Sequence, residues 1–137
     1  MSKALNYLGI ARMSGNIELG EDNAAALVKA GKAKLLIVAC DTSPAAKRRA
    51  EGYIFGHSAP LTEVPFTKQE ISEITGRPGC SMAAIADLGL AKSFADALAE
   101  ECGADFAELS AALGAKLERA KARKRTGRKS GDRRKSE

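Results

Sequence analysis

Two polar turns carry the residues of this 137-residue chain that are best suited to contact another molecule. The first turn is Gly20-Glu21-Asp22-Asn23, at the start of a predicted helix. Its carboxylates accept hydrogen bonds and its amide both donates and accepts them, which suits recognition of polar edges on a ligand. Acids in a first helical turn also stabilise the helix itself by about 0.3–1 kcal/mol each. The residues alone leave a binding role and a purely structural role open.

The second turn is Gly76-Arg77-Pro78-Gly79, which lies between a predicted helix and a predicted strand. Two glycines permit a close approach to the backbone, although a tight turn requires them in any case. The guanidinium of Arg77 suits a phosphate oxygen or a base edge. The turn lacks the lysine and the hydroxyl residue of a P-loop, so it does not predict a cradle for nucleotide phosphates.

Groups able to catalyse a reaction are scarce in this chain. His57 is the single histidine, and no third group is identified that would orient it against Cys40 or Cys80 in a catalytic dyad. The three cysteines have no CxxC spacing, so they predict neither zinc nor a disulfide framework and favour a reducing compartment. We expect a non-enzymatic cytoplasmic protein with no metal, no cofactor and no small-molecule substrate.

The positive charge is concentrated at the C-terminal end. Residues 1–114 carry 11 Lys and Arg against 14 Asp and Glu, whereas residues 115–137 carry 11 against 3, so the net charges are −3 and +8. A basic arm on a mildly acidic domain favours a polyanionic partner such as RNA, because flexible cations release counterions from a phosphate backbone. No apolar run approaches the roughly 18 residues of a membrane span, so no membrane partner is expected.

Hydrophobic periodicity predicts alternating helices and strands. The helices are expected at 4–13, 21–30, 45–56, 67–75 and 88–102, and the strands at 17–19, 35–39, 59–66 and 80–86. This alternation is typical of an α/β sandwich with helices on both faces of a small sheet. We expect a domain at residues 1–103, an extra helix at 104–122 and a disordered basic tail at 123–137, since the tail has almost no apolar residues.

The order of these elements resembles a known superfamily. The segment LGEDNAAALVKAGKAKLLIVACD, the Pro-headed helix after it and the later segment ITGRPGCSMAAIADLGLAKSF are similar to small ribosomal proteins that bind kink-turn RNA, in particular their short bacterial, YlxQ-like members. The resemblance covers about residues 4–102. It implies a three-layer α/β/α sandwich with a small mixed four-stranded sheet, and RNA binding in ribosomes or translation without catalysis.

In the family, the helix after the glycine inserts its N-terminal end at a kinked RNA loop, where a polar pair and a lysine one turn later read sheared G·A pairs. A second loop, before the last strand, covers a flipped-out nucleotide. Gly20 matches the family glycine; Asp22 stands where Asn is usual, Asn23 where Glu is usual, and Ala26 where the lysine is expected. Asp22 and Asn23 supply one carboxylate and one amide, as the family pair does, but in the opposite order along the chain.

The expected RNA contacts combine the two turns with nearby lysines. They are Gly20, Glu21, Asp22, Asn23, Lys29, Lys32, Lys34, Thr75, Gly76, Arg77, Pro78, Gly79, Cys80 and Ser81. Ribosomal proteins are a further partner class for this RNA-binding interpretation. The alternative is a protein–protein interaction module of the same fold that has lost specific RNA recognition, and Ala26 and the −3 charge of the domain favour it. A positive patch joining Lys29, Lys32 and Arg77 would favour RNA instead.

Overall fold

The hydrophobic runs Leu35–Val38 and Met82–Ile85 form the two central strands of the sheet. The structure is a computed structural model, which describes the backbone of residues 2–131 and the side chains of residues 2–103 and 105–123. Both runs are buried along their whole length. Continuous apolar strands of this kind require a cover on both faces, and helices supply it.

Helices and strands alternate along the chain as predicted. They are α1 (Lys3–Met13), β1 (Ile17–Leu19), α2 (Glu21–Lys29), β2 (Leu35–Val38), α3 (Pro44–Ile54), β3 (Leu61–Glu63), α4 (Lys68–Thr75), β4 (Met82–Ile85), α5 (Leu88–Cys102), a 3₁₀ turn (Ala104–Phe106) and α6 (Ala107–Gly131). The third strand is shorter than the predicted 59–66. Pro60 and Pro65, which cannot donate to a ladder, limit its length.

The strands form one mixed sheet of order β1-β4-β2-β3. β4 is antiparallel to both β1 and β2, and β3 is parallel to β2. The carboxyl ends of β1, β2 and β3 therefore share one edge with the start of β4; we call this the carboxyl edge. The starts of β1, β2 and β3 share the opposite edge with the end of β4.

Alternate residues of the central strands face two separate hydrophobic cores. Leu35, Ile37 and Ile85 pack in the core that α1, α4 and α5 cover. Leu36 and Met82 pack on the other face, in the core that α2 and α3 cover. This arrangement confirms the predicted three-layer α/β/α sandwich.

The last helix packs on the domain and is longer than predicted. Leu113 is fully buried in the core that contains α5, so the first part of α6 packs on the domain. α6 continues to Gly131, so residues 123–131 are helical where disorder was predicted; residues 132–137 lie outside the described part. A lack of apolar residues removes tertiary packing but not local helix formation, since Lys and Arg have good helix propensity. Within residues 2–131, no helix is long and apolar enough to cross a membrane.

Candidate functional site

The first predicted turn lies at the carboxyl edge, where β1 passes into α2. Gly20 has φ +94° and ψ 154°, a backbone conformation that is almost confined to glycine. Its N–H donates to the carbonyl of Met82 at 2.9 Å, which fixes the turn against β4. Asp22 and Asn23 are exposed in the first turn of α2 that follows.

The second turn lies directly beside the first, because two side chains bind the same backbone atom. Arg77 Nη1 donates to the carbonyl oxygen of Leu19 at 3.0 Å, and Asn23 Nδ2 donates to that oxygen at 3.0 Å. A Cβ atom on Gly20 would lie 2.9 Å from Arg77 Nη2, so any side chain at this position would displace the Arg77 guanidinium, and the positive φ favours glycine in addition. The α2 N-terminus and the α4–β4 turn thus form one continuous surface.

Two residues of the predicted contact set serve as internal anchors of the second turn. Thr75 is buried, and its hydroxyl donates to the carbonyl of Ile71 at 2.6 Å. Cys80 is buried, its N–H donates to Ser72 Oγ at 3.0 Å, and burial raises the pKa of its thiol. Their side chains face the interior. The exposed part of the turn is residues 76–79, and Ser81 is half-buried behind it.

Glu21 also has a structural partner. Its carboxylate accepts two hydrogen bonds from Arg49, at 2.6 and 3.0 Å, and one from the Tyr53 hydroxyl at 2.5 Å. These hydrogen bonds hold the pKa of Glu21 down at about 2, against 4.5 for a free side chain. Glu21 therefore ties α2 to α3, and the exposed polar groups of this helical turn are Asp22 and Asn23.

The Glu21 contact gives the protein an acid-dependent contribution to stability. Because the folded-state pKa is lowered, the contribution is present above pH 4.5 and is lost as the pH falls towards 2. We expect Glu21→Gln to reduce the free energy of unfolding at pH 7 by about 1 kcal/mol, since the pair is partly exposed. Urea unfolding between pH 7 and pH 2 should show the two proteins converging at the acid end. A constant difference across that range would contradict the assignment.

Two of the three predicted lysines, Lys32 and Lys34, do not join this surface. Lys29 is the last residue of α2, and its Nζ lies 5.7 Å from the centroid of the Tyr53 ring. Lys32 and Lys34 precede β2 at the opposite edge, where the N–H of Lys34 donates to the carbonyl of Ile85 at 2.7 Å. Lys32 therefore does not form one positive patch with Lys29 and Arg77 at this edge, which is the arrangement that would favour RNA. Sequence spacing along one helix and one strand could not show that the chain has crossed the sheet between them.

One cation at the carboxyl edge was missed by the sequence analysis. Arg12, in the last turn of α1, is exposed, and its guanidinium lies 3.5 Å from the position that a Cβ on Gly76 would occupy. Gly76 ends α4 in the left-handed conformation, with φ +76°. Arg12 and Arg77 thus flank the exposed turn. The contact arises from packing of α1 against α4, which leaves no local signal in the sequence.

The fold and the joined turns define a small three-layer α/β/α domain with a glycine turn at one sheet edge. Residues 2–95 match the ribosomal protein L7Ae/L30e/S12e/Gadd45 family, and the chain belongs to that family. The RNA-binding protein YlxQ of Enterococcus faecium is 32% identical over 90 residues, which are 66% of this chain and 85% of that protein.

Two solved structures share the fold. A Bacillus halodurans protein of unknown function is 20% identical, with a TM-score of 0.66 over 72% of this chain and 98% of its own. The 15.5kD RNA binding protein of Giardia lamblia is also 20% identical, with a TM-score of 0.57 over 80% of this chain and 85% of its own. At this identity the two structures support the architecture alone.

Proposed function

We propose that this protein binds structured RNA of the kink-turn type without catalysing a reaction, as a cytoplasmic accessory of ribosomes or translation. The observation that carries the proposal is the shared contact of Asn23 and Arg77 with the Leu19 carbonyl, which joins the α2 N-terminus to the α4–β4 turn. Family membership supports it, and so does the name of the Enterococcus protein, which is RNA-binding.

Each exposed group at this edge has a role that fits RNA. Asp22 accepts hydrogen bonds from guanine edges, and Asn23 keeps its Oδ1 as an acceptor while its Nδ2 holds the turn. Arg77 uses one nitrogen on Leu19 and retains further N–H donors for a phosphate or a base. Arg12, beside Gly76, adds a second cation that can contact the phosphate backbone of the RNA. The glycines of the exposed turn allow a nucleotide to approach the main chain.

The basic C-terminal extension supplies affinity that does not depend on sequence. In this proposal residues 1–103 are the RNA-binding domain, and the segment from Lys116 to Lys135 adds phosphate contacts. Contacts of this kind weaken steeply as salt rises, whereas contacts to base edges set the choice of RNA.

Ala26 favours the rival function, a protein–protein interaction module. It is exposed on α2 and has no donor to replace the lysine that the family resemblance leads us to expect there. A protein partner would bind the same carboxyl edge of this domain. The two functions are therefore distinguished by measuring whether RNA binds there.

Amide chemical shifts of the full-length ¹⁵N-labelled protein test the proposal. Addition of a kink-turn RNA is expected to shift the amides of Asp22, Asn23, Gly76 and Gly79 more than that of Gly52, which lies on the exposed side of α3. Shifts confined to α6 would contradict the proposed surface and leave the basic extension as the RNA-binding part. The absence of any shift would favour the protein-interaction module.

A further inference from the structure

A cavity of about 240 Å³ lies at the sheet edge opposite Gly20, and its charged lining is entirely cationic among the described side chains. Lys34 enters it from the start of β2, and Lys116, Arg119 and Arg123 enter it from α6. Ser58, from the segment between α3 and β3, completes the polar wall. Two separate chain segments, the start of β2 and α6, thus bring four cations to one concave place.

The four cations lack carboxylate partners within the described part of the chain. The ion pairs found there use other cations, such as Lys3 with Glu100 and Lys121 with Glu118. The Nζ of Lys116 donates a hydrogen bond to the carbonyl of Ser58, which holds α6 against the domain. A neutral carbonyl leaves the charge of this lysine uncompensated.

Like charges held together in a cleft oppose folding unless an anion offsets them. Burial and the neighbouring charges of Arg119 and Lys34 lower the pKa of Lys116. A perturbed ionisable group in a cleft, with its charged neighbours identified, is typical of a binding site. At about 240 Å³ the cavity is large enough for a single phosphate group with its five heavy atoms.

We propose that this cation-lined cavity binds a phosphate group of an RNA backbone, at a second site distinct from the carboxyl edge. The choice of RNA as the source of the phosphate rests on the proposed function. The two sites lie at opposite ends of β2, which has four residues and is therefore about 13 Å long. One RNA therefore contacts both sites by following a flank of the domain, and α6 is positioned as a clamp on the second backbone segment.

The test compares two double variants of the full-length protein that lose the same charge. Lys34→Gln/Lys116→Gln removes two cavity cations, and Lys3→Gln/Lys92→Gln removes two lysines that are paired with carboxylates outside the cavity and outside the basic extension. For the cavity variant we expect the slope of log affinity against log salt to become shallower by about 1, as for one lost phosphate contact. Affinity should fall several-fold for every RNA tested, with no change in preference between RNAs. Equal slopes in the two double variants would overturn the proposal.

This readout is separable from the kink-turn proposal. If the wild-type protein shows no preference for kink-turn RNA but the cavity variant still has the shallower slope, the cavity site stands and kink-turn recognition fails. If the preference is present and the slopes are equal, the cavity proposal fails alone.

Thermal unfolding with inorganic phosphate gives a second measurement that needs no RNA. At matched ionic strength, phosphate is expected to raise the Tm of the wild type and of the Lys3→Gln/Lys92→Gln control more than that of the cavity variant, because ligand binding stabilises the folded state. Phosphate also stabilises proteins generally by exclusion from their surface, and this part is common to all three proteins. Equal increases in Tm across the three would count as an adventitious effect only and would overturn the proposal. Far-UV circular dichroism of each variant confirms that it is folded.

Discussion

Gly20→Ala is expected to lower the free energy of unfolding by about 1–3 kcal/mol. With φ +94° and ψ 154°, Gly20 has a backbone conformation that strains any residue with a Cβ. The new methyl group would also lie 2.9 Å from Arg77 Nη2 and push the guanidinium off the Leu19 carbonyl. We therefore expect binding of kink-turn RNA to weaken by about tenfold, equivalent to about 1.4 kcal/mol. Urea unfolding and a fluorescence titration measure the two effects.

Gly15→Ala is the matched control for this substitution. Gly15 also has positive φ, +75°, but a Cβ there would meet no atom within 4 Å. The Gly15→Ala substitution should lower the free energy of unfolding through backbone strain and leave RNA affinity unchanged. An equal loss of affinity in both variants would show that the effect on binding reflects general destabilisation and not displacement of Arg77.

Arg77→Ala is expected to weaken binding of kink-turn RNA by about 1.5–3 kcal/mol, or roughly tenfold to 150-fold. Arg77 supplies the charged donors at the centre of the joined turns and aligns one turn on the other through Leu19. Because its side chain is exposed, stability should change little. Arg48→Ala removes an exposed arginine from α3 and should leave the preference between RNAs unchanged. Equal losses of affinity for kink-turn RNA in Arg77→Ala and Arg48→Ala would contradict the role of Arg77.

A double-mutant cycle links these two predictions. If Gly20→Ala weakens binding by displacing Arg77, it should have a much smaller effect on affinity in the Arg77→Ala background. Additive effects would mean that Gly20 and Arg77 contribute independently to RNA binding. The shared contact at Leu19 would then not contribute to RNA affinity.

Sequence patterns were sufficient for the architecture because local and global signals agree. The helix predicted from residue 67 is present as α4, because Thr67 and Glu70 form a capping box in which both hydrogen bonds are made. The alternate burial of β2 residues on two faces follows from an unbroken apolar run. Strand ends were less predictable at β3, where prolines limit the ladder, and the end of α6 was missed because disorder was inferred from polarity alone.

The candidate site was predictable only where contacts are local. Gly20 and Arg77 were identified from turn chemistry, but their proximity arises from sheet order, which pairs β1 with β4. Arg12 and the pairing of Glu21 with Arg49 depend on how helices pack, so no spacing in the sequence reveals them. Lys34 lies at the edge opposite Gly20, because α2 carries the chain across the sheet before β2 begins, and sequence spacing does not show this crossing.

The measurement that tests the central proposal most directly is the ratio of affinities for two RNAs. Full-length protein is titrated with a kink-turn RNA and with a matched RNA whose sheared G·A pairs are replaced, at low and at high salt. We predict tighter binding to the kink-turn, with a ratio of about ten that persists at high salt while both affinities fall. Equal binding to both RNAs at both salt concentrations would contradict recognition by the joined turns.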